Sequence, residues 1–380
     1  MPHKSSGAQG FFASNHIRRA QTVLALVFFT LSCSEEEERK TVDGSPAVEL
    51  VATADVDFSK AVALVDEGTA CVLLAYEPQV RCFDRRGVAL GSFGSRGEGP
   101  GEFDTPDALV RGTNRRIGVL DVGRSRITVW QPDGTYLGGA SVPFLFKPVS
   151  SFDDTVLGSY EDTPDYDGVA EDDAQAPAAL LAEVAIPSGE IVRKMEVPPP
   201  GHFGYEAECP APLVQQGNMD SRGGIVFGVC ARELMFWRSN GEAAFVKQPY
   251  EPGPLSERDV EEENEEYRRG LADILPPEMI EEIVETLHAT ESTIPYNWSR
   301  TRVHDGQDRL WVATVRDRIE TSYFHVYSDT VFVGTVQVRD RLKAFDVLGS
   351  VLVVLVERKP GEGSDGIWRQ ALDWYELTTP

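Results

Sequence analysis

The chain has 380 residues, of which 41% are hydrophobic, and a formal net charge of −25. This charge excludes electrostatic binding to nucleic acid or to an anionic membrane surface, because both require patches of Lys and Arg. The length would allow two or three ordinary domains, but all-β folds often use it for one domain.

The first predicted element is an export signal. Arg18 and Arg19 precede the apolar run "QTVLALVFFTLS", which is shorter than the roughly 20 apolar residues of a spanning helix. The run ends at Cys33 and the acidic stretch "SEEEERK" follows. This arrangement resembles a bacterial lipoprotein signal, and the resemblance implies a signal peptide over 1–32 and lipidation of Cys33.

The lipoprotein resemblance also implies an address. Residues 33–46 are expected to form a flexible acidic tether, because they are polar and rich in Glu. We expect an exported domain, lipid-anchored in the bacterial cell envelope on the periplasmic or outer-membrane side. An ordinary secretory peptide with an incidental Cys33 remains the alternative.

Behind the tether, short polar turns recur along the chain. Four of them, "CFDRRGVAL", "VWQPDGTYL", "VAIPSGEIV" and "FWRSNGEAA", place glycine at positions 87, 134, 189 and 241, and "VYSDTVFVG" follows with Thr330. The early periods each hold four short apolar runs that are typical of strands. Four antiparallel strands in a repeat of this length form the blade of a β-propeller. We therefore predict an all-β propeller over residues 47–380.

The two ends of this region predict how the ring closes. The last repeat supplies only three strand-like runs, whereas "AVELVATADVDF", residues 47–58, is an extra strand before the first complete blade. Joining the two gives six four-stranded antiparallel blades, the last one completed by the N-terminal strand. The pairing also covers two sheet edges that would otherwise be exposed.

A glycine-rich stretch, "FGSRGEGPGEF", lies between the first two predicted blades. It matches neither phosphate-binding fingerprint and no Lys follows its glycines, so we interpret it as a turn between blades. Together with "DTPDALV" and "IGVLDVGRSRITVWQPDGTYL", it resembles the NHL-type six-bladed propellers of bacteria. The match is specific over residues 83–137 and weak in the later blades.

Two segments interrupt the strand pattern. Residues 254–290 have helical spacing of apolar side chains and are predicted to be a helical insertion, either a decoration of blade five or a lid or docking arm. An acidic stretch that begins at Glu161, "EDTPDYDGVAEDDAQAP", is interpreted as a hairpin loop. Calcium binding by its carboxylates is the alternative interpretation, and no cofactor is predicted.

The cysteines and histidines give few signs of catalysis. Beyond Cys33, the even count of Cys71, Cys82, Cys209 and Cys230 in an oxidising compartment predicts disulfides, with Cys71–Cys82 and Cys209–Cys230 as the expected local pairs. His202 and His304 fall in predicted loops and remain candidates for function. No nucleophile motif and no Cys/His metal cluster is evident, and the identity of any metal stays unknown.

The site residues are predicted from the fold. Propeller ligands usually occupy the channel mouth that is formed by loops between blades and in the middle hairpins. The residues expected there are Arg96, Glu98, Glu102, Arg124, His202, Trp298 and Arg300.

Two functions remain open. The first is a monomeric, non-catalytic envelope module that binds an unidentified protein or small-molecule partner on its propeller face. The alternative is a metal-assisted hydrolase or lyase with its site in the central channel.

Overall fold

The structure is a computed structural model. It describes residues 46–143, 146–152, 154–160, 179–205, 213–229, 233–247, 249, 275–287, 302–317, 321–359 and 368–378, with seven further helical positions between 257 and 271. The predicted signal peptide, Cys33 and nearly all of the tether lie outside the described residues, as does the acidic stretch after Glu161.

The described strands form six antiparallel sheets of four strands each, and the predicted six-bladed β-propeller is confirmed. We call the strands of each blade A to D in the order in which they pair. Blade one contains β2 (Ser59–Asp66), β3 (Thr69–Leu74), β4 (Val80–Asp84) and β5 (Ala89–Phe93). Blade two contains β6 (Pro106–Gly112), β7 (Arg116–Asp121), β8 (Arg126–Trp130) and β9 (Tyr136–Ser141). Blade three contains β10 (Lys147–Phe152), β11 (Thr155–Tyr160), β12 (Ala179–Ala185) and β13 (Ile191–Val197).

The last three blades complete the ring. Blade four contains β14 (Leu213–Met219), β15 (Ile225–Val229), β16 (Glu233–Trp237) and β17 (Ala243–Lys247). Blade five contains β18 (Arg302–His304), β19 (Arg309–Asp317), β20 (Thr321–Ser328) and β21 (Val331–Arg339). Blade six contains β22 (Arg341–Leu348), β23 (Val351–Arg358), β24 (Arg369–Thr378) and β1 (Ala47–Val56). The A strands of neighbouring blades contact one another all the way around.

The core lies between the blades. Six apolar clusters each join one blade to the next, so the six interfaces close the circle. β23 shows how one strand serves two interfaces. Leu352, Val354 and Val356 pack toward blade five, whereas Val351 and Val353 pack toward blade one. Alternate side chains of a strand point to opposite faces, and this is why "VLVVLVER" is apolar throughout.

Ring closure follows the predicted pairing. β1 runs antiparallel to β24, from Ala47 opposite Thr378 to Val56 opposite Gln370. The buried carboxylate of Asp373 on β24 accepts a hydrogen bond from the Thr53 hydroxyl. It also accepts two hydrogen bonds of 2.7 Å from Nη2 of Arg358. The first and last strands of the domain are thus joined by side chains as well as by the backbone.

The recurring turns that revealed the repeat all join strands C and D. Glycines 87, 134, 189 and 241 have φ between 75° and 92°, a region that glycine occupies without strain. In the fifth turn, Asp329 takes the positive φ, at 52°. Asp tolerates this conformation better than most residues, so the turn persists without its glycine.

The predicted helical insertion is confirmed in its described part. Helix α1 spans Pro277–Leu287 and buries Ile280 and Val284 one turn apart. Arg268, at one of the earlier helical positions, pairs with Glu281 of α1 at 2.9 Å and with Glu261 at 3.4 Å. The insertion therefore packs an apolar stripe and presents charges on its other side.

Candidate functional site

A cavity of about 390 Å³ lies on the axis of the ring, lined by residues from all six A strands. Its middle is apolar, with Val62, Ala108 and Phe345 among the lining side chains. Toward the turns that join strands A and B, which we call the AB end, the lining becomes polar. The polar lining residues there are Arg111, Asn218, Ser221, Arg302, His304, Asp305, Asp308 and Asp346.

Asn218 links blades four and five at this end. It is buried near the end of β14, and its Nδ2 donates to the carbonyl oxygen of Arg302 at 3.0 Å. Its Oδ1 accepts from the backbone N–H of His304 at 3.1 Å. The side-chain amide thus bonds to strand β18 as a neighbouring backbone would, and it fixes β18 against the channel.

The same amide oxygen orients the His304 ring. Nδ1 of His304 lies 2.5 Å from Oδ1 of Asn218. Because Nδ2 of Asn218 is the donor to Arg302, Oδ1 must accept, so the proton of a neutral His304 sits on Nδ1. Burial lowers the pKa of His304 to about 4, although Asp220, Asp308 and Asp305 act in the opposite direction. His304 is therefore neutral near pH 7 and carries the lone pair on Nε2.

Arg302 places a buried cation in the lining. Arg302 is only 5% exposed. Burial lowers the pKa of its guanidinium to about 10, while Tyr327 acts to raise this pKa. The group still carries its charge near pH 7. A charge held out of water favours polar or anionic groups nearby.

A pair of opposite charges, Arg111 and Asp346, lies where blades six, one and two meet. Asp346 Oδ2 accepts from the backbone N–H of Leu64 at 2.7 Å and lies 3.9 Å from Nη1 of Arg111. Arg111 Nη1 also lies 3.4 Å from the carbonyl oxygen of Val347. Burial raises the pKa of Asp346, while Arg111 and the backbone donors act to lower it. The pair connects three blades at the channel wall.

Around this end, neighbouring AB turns bond to one another. In each pair an acidic side chain of one turn holds a donor of the turn in an adjacent blade. The pairs are Ser350–Glu67, Arg115–Asp66, Thr113–Asp154 and Ser221–Asp308. These bonds fix the rim of the cavity to the blades on both sides.

The acids of the rim are engaged by donors. Asp305 accepts from the backbone N–H groups of Gln307 and Arg309, both at 2.9 Å, and from Nε1 of Trp311 at 3.0 Å. The Ser221 hydroxyl donates to Asp308 Oδ2 at 2.5 Å. This is not the order of a nucleophilic triad, in which the serine would donate to the histidine.

The predicted channel-mouth residues lie at the other end of the blades. Arg96, Glu98 and Glu102 are in the link between β5 and β6, and Arg124 is in a short 3-10 helix between β7 and β8. Glu98 and Arg124 form an ion pair at 3.1 Å. Glu102 accepts from the backbone N–H of Gly99 at 2.7 Å, which stabilises the turn. None of these four lines the axial cavity.

His202, Cys71 and Cys82 are the other predicted site residues within the described ranges. His202 is exposed in the 3-10 helix Pro200–Phe203, with its ring edge-on to Phe203. Cys71 and Cys82 face each other across β3 and β4, with Cα atoms 4.0 Å apart, and are joined by a disulfide. Both β14 and β15 lie between positions 209 and 230. Cys209, Cys230, Trp298 and Arg300 lie outside the described residues.

Of the polar residues in the cavity, only His304 was a candidate from the sequence. Arg111, Asn218 and Asp346 sit within three positions of the end of their A strands. In the sequence such residues look like the start of a turn. Their signal in the sequence is a polar residue inside an otherwise apolar run, as in "FDVLG" at 345–349.

Within the described ranges, no group of three or more His, Cys, Asp or Glu side chains is placed to hold a metal ion. No helix in the described part of the chain has the length and apolar character that crossing a bilayer requires.

Comparisons with known proteins concern the fold. No family model matches the chain, and no curated protein matches its sequence. Among solved structures, a DUF4221 family member from Bacteroides vulgatus aligns with a TM-score of 0.49 and 9% identity, over 89% of this chain and all of the other. A candidate exported protein from Bacteroides fragilis aligns at 0.45 with 12% identity, over 87% and 96% of the two chains.

A third similar structure is an enzyme. A catalytically inactive variant of virginiamycin B lyase from Staphylococcus aureus, bound to quinupristin, aligns with a TM-score of 0.42 and 9% identity, over 88% of this chain and all of the other. At such identities and TM-scores these likenesses say nothing about activity. The chain is a six-bladed β-propeller by its own sheet topology.

Proposed function

We propose that this chain is a binding module of the bacterial envelope that holds a small polar ligand in the AB end of its axial channel. The observation that carries the proposal is the polar lining of a cavity of about 390 Å³ inside an otherwise apolar ring. That volume is within the usual range for small-molecule sites, which combine apolar walls with a few fixed polar groups.

The lining supports recognition of both hydrogen-bond donors and acceptors. The guanidinium groups of Arg111 and Arg302 suit an acceptor or an anionic group, and Nε2 of neutral His304 suits a donor. The rim bonds and the Asn218 amide hold these groups in place before a ligand arrives, which reduces the entropy lost on binding.

Binding is favoured over nucleophilic chemistry by the way the reactive groups are engaged. The Ser221 hydroxyl donates to Asp308, and Nδ1 of His304 bonds to Asn218. Neither contact is the hydroxyl-to-histidine hydrogen bond by which a Ser/His pair activates its nucleophile.

The address and family complete the proposal. The segment that ends at Cys33 supports export and lipid anchoring, and the NHL-type resemblance is supported by the linker of blade two. There Phe103 is fully buried, and the Asp121 carboxylate accepts from the backbone N–H groups of Asp104 and Thr105 at 3.0 and 2.8 Å.

The binding role is tested by thermal unfolding with a panel of free amino acids and small dicarboxylates. A compound that binds the folded state raises its stability in proportion to RT ln(1 + [L]/Kd). We expect one class to stabilise the wild-type chain and His202→Gln equally, but to lose its effect in His304→Gln and Arg111→Met. A compound that stabilises all four proteins equally would place its site elsewhere.

The anchor is tested separately by expressing Cys33→Ser in a bacterial host. We expect the wild-type chain in the membrane fraction and the variant in the soluble periplasmic fraction. Unchanged membrane fractionation of the variant would contradict lipidation at Cys33.

A further inference from the structure

A second cavity, of about 450 Å³, lies at the opposite end of the blades, where the first and last blades meet. It is open to solvent on one side and is bounded by the turn from β1 into β2, by the turn between β3 and β4, and by the start of β24. Two hydrogen bonds fix these walls together. The backbone N–H of Ala75 donates to the Phe58 carbonyl at 2.7 Å, and that of Ser59 donates to Oε1 of buried Gln370 at 2.6 Å.

Three aromatic side chains line this cavity: Phe58, Tyr76 and Trp368. The ring centroids of Phe58 and Tyr76 are 5.8 Å apart, with their planes tilted by 60°. Tyr76 is 78% exposed and Phe58 is 37% exposed. At this separation the two rings contact each other, so an entering group would pack beside the pair and against the largely exposed ring of Tyr76.

Three carboxylates lie in the same lining: Asp55, Asp57 and Glu77. Asp57 pairs with Arg81 at 2.7 Å. Among the described residues, no hydrogen bond or ion pair engages the side chains of Asp55 and Glu77. The lining contains one cation, Arg369, and Arg81 pairs with Asp57, so three carboxylates face two guanidinium groups and one negative charge remains.

We propose that this cavity binds an organic ammonium cation. Aromatic faces attract a cation through the ring quadrupole, and tetraalkylammonium groups suit such sites because they are weakly hydrated. The carboxylates add an attraction at longer range that acts before contact. An apolar ligand would gain from the rings but not from the carboxylates, and an anion would be repelled by Asp55 and Glu77.

This site is independent of the axial cavity. It shares no lining residue with the AB end, and it needs neither the lipid anchor nor a ligand in the channel. A failure of one assignment therefore leaves the other untouched.

The test is a calorimetric titration of the full chain with tetramethylammonium chloride, with tert-butanol as the uncharged compound of similar size. We expect saturable binding of tetramethylammonium and at least a tenfold weaker response to tert-butanol. Tyr76→Ala should weaken binding by about twofold to fivefold, which corresponds to one exposed cation–ring contact. Glu77→Gln should weaken it at low salt and much less at high salt, because salt screens an exposed charge.

The matched controls are Tyr136→Ala, which removes another exposed aromatic ring from an outer strand, and Glu242→Gln, which neutralises an exposed acid in a distant turn. Neither should change the affinity. Equal binding of tert-butanol and tetramethylammonium, or full affinity in Tyr76→Ala, would overturn the proposal. A short lysine peptide that binds more tightly than tetramethylammonium would assign the cation to a protein side chain, and the reverse order would assign it to a free small molecule.

Discussion

Gly94 shows why the link between the first two blades is rich in glycine. Its φ is +85°, and a Cβ there would lie 2.1 Å from Cε2 of Phe103, whose ring is buried against Trp130. The residue therefore needs both a left-handed backbone and an absent side chain. This is the requirement of a tight turn over a packed ring, and it explains the glycines without a phosphate.

Gly94→Ala should accordingly lower the free energy of unfolding by about 2–3 kcal/mol, since backbone strain and a steric clash add. Gly201→Ala is the matched control, because no heavy atom outside its neighbours lies within 4 Å of the new Cβ. That variant should change stability by less than about 0.5 kcal/mol. Urea unfolding of both variants measures the difference, and equal stabilities would contradict the close approach to Phe103.

His304 makes a prediction about pH. Burial lowers its pKa from 6.5 to about 4, so between these values the unfolded chain binds more protons than the folded one. Stability must then rise with pH across this window, and the contribution of His304 is lost as the pH falls from about 6.5 to about 4. His304→Gln should flatten this part of the profile, whereas the exposed His202→Gln should not. An identical slope in His304→Gln would show that His304 is not held neutral.

Among the elements, the hairpin of β3 and β4 contains the disulfide between Cys71 and Cys82, which are 11 positions apart. Closing a loop of this size restricts the unfolded chain and stabilises the folded one by about 3 kcal/mol. Reductant should lower the unfolding midpoint of the wild-type chain by a corresponding amount. The double variant Cys71→Ala/Cys82→Ala should respond less to reductant than the wild-type chain, because it keeps only the predicted Cys209–Cys230 pair. Equal responses of the two proteins would contradict the Cys71–Cys82 bond.

The elements also show what the sequence could predict. The turns between strands C and D need a positive φ, so glycine or aspartate marks them in the first five blades. The sixth blade follows from the three strand-like runs at one end of the domain and the extra strand at the other. The axial site has no such marker. Arg111, Asn218, His304 and Asp346 come from four A strands far apart in sequence, and only the closed ring brings them to one cavity. Local patterns therefore predicted the scaffold and the loops at its other end, but not the channel lining.

At the scale of the whole molecule, stability depends on the contact between the first and last strands of the domain. β1 supplies a full ladder to β24, and Ala54 of β1 packs into the same cluster as Trp374 of blade six and Leu64 of blade one. Without β1 the edge of β24 would be exposed and the buried Asp373 would lose the Thr53 hydroxyl. An open sheet edge is a template for pairing with another chain.

Deleting residues 47–56 should therefore lower the free energy of unfolding by more than about 5 kcal/mol, beyond the range of single substitutions, and should promote aggregation. Deleting 34–45, which precedes the first paired residue of β1, Ala47, is the control and should change neither property. Urea unfolding and light scattering at equal protein concentration distinguish the two outcomes. If the chain without 47–56 unfolds at the wild-type midpoint and stays monomeric, the ring is held by its six apolar interfaces alone and the closing strand is dispensable.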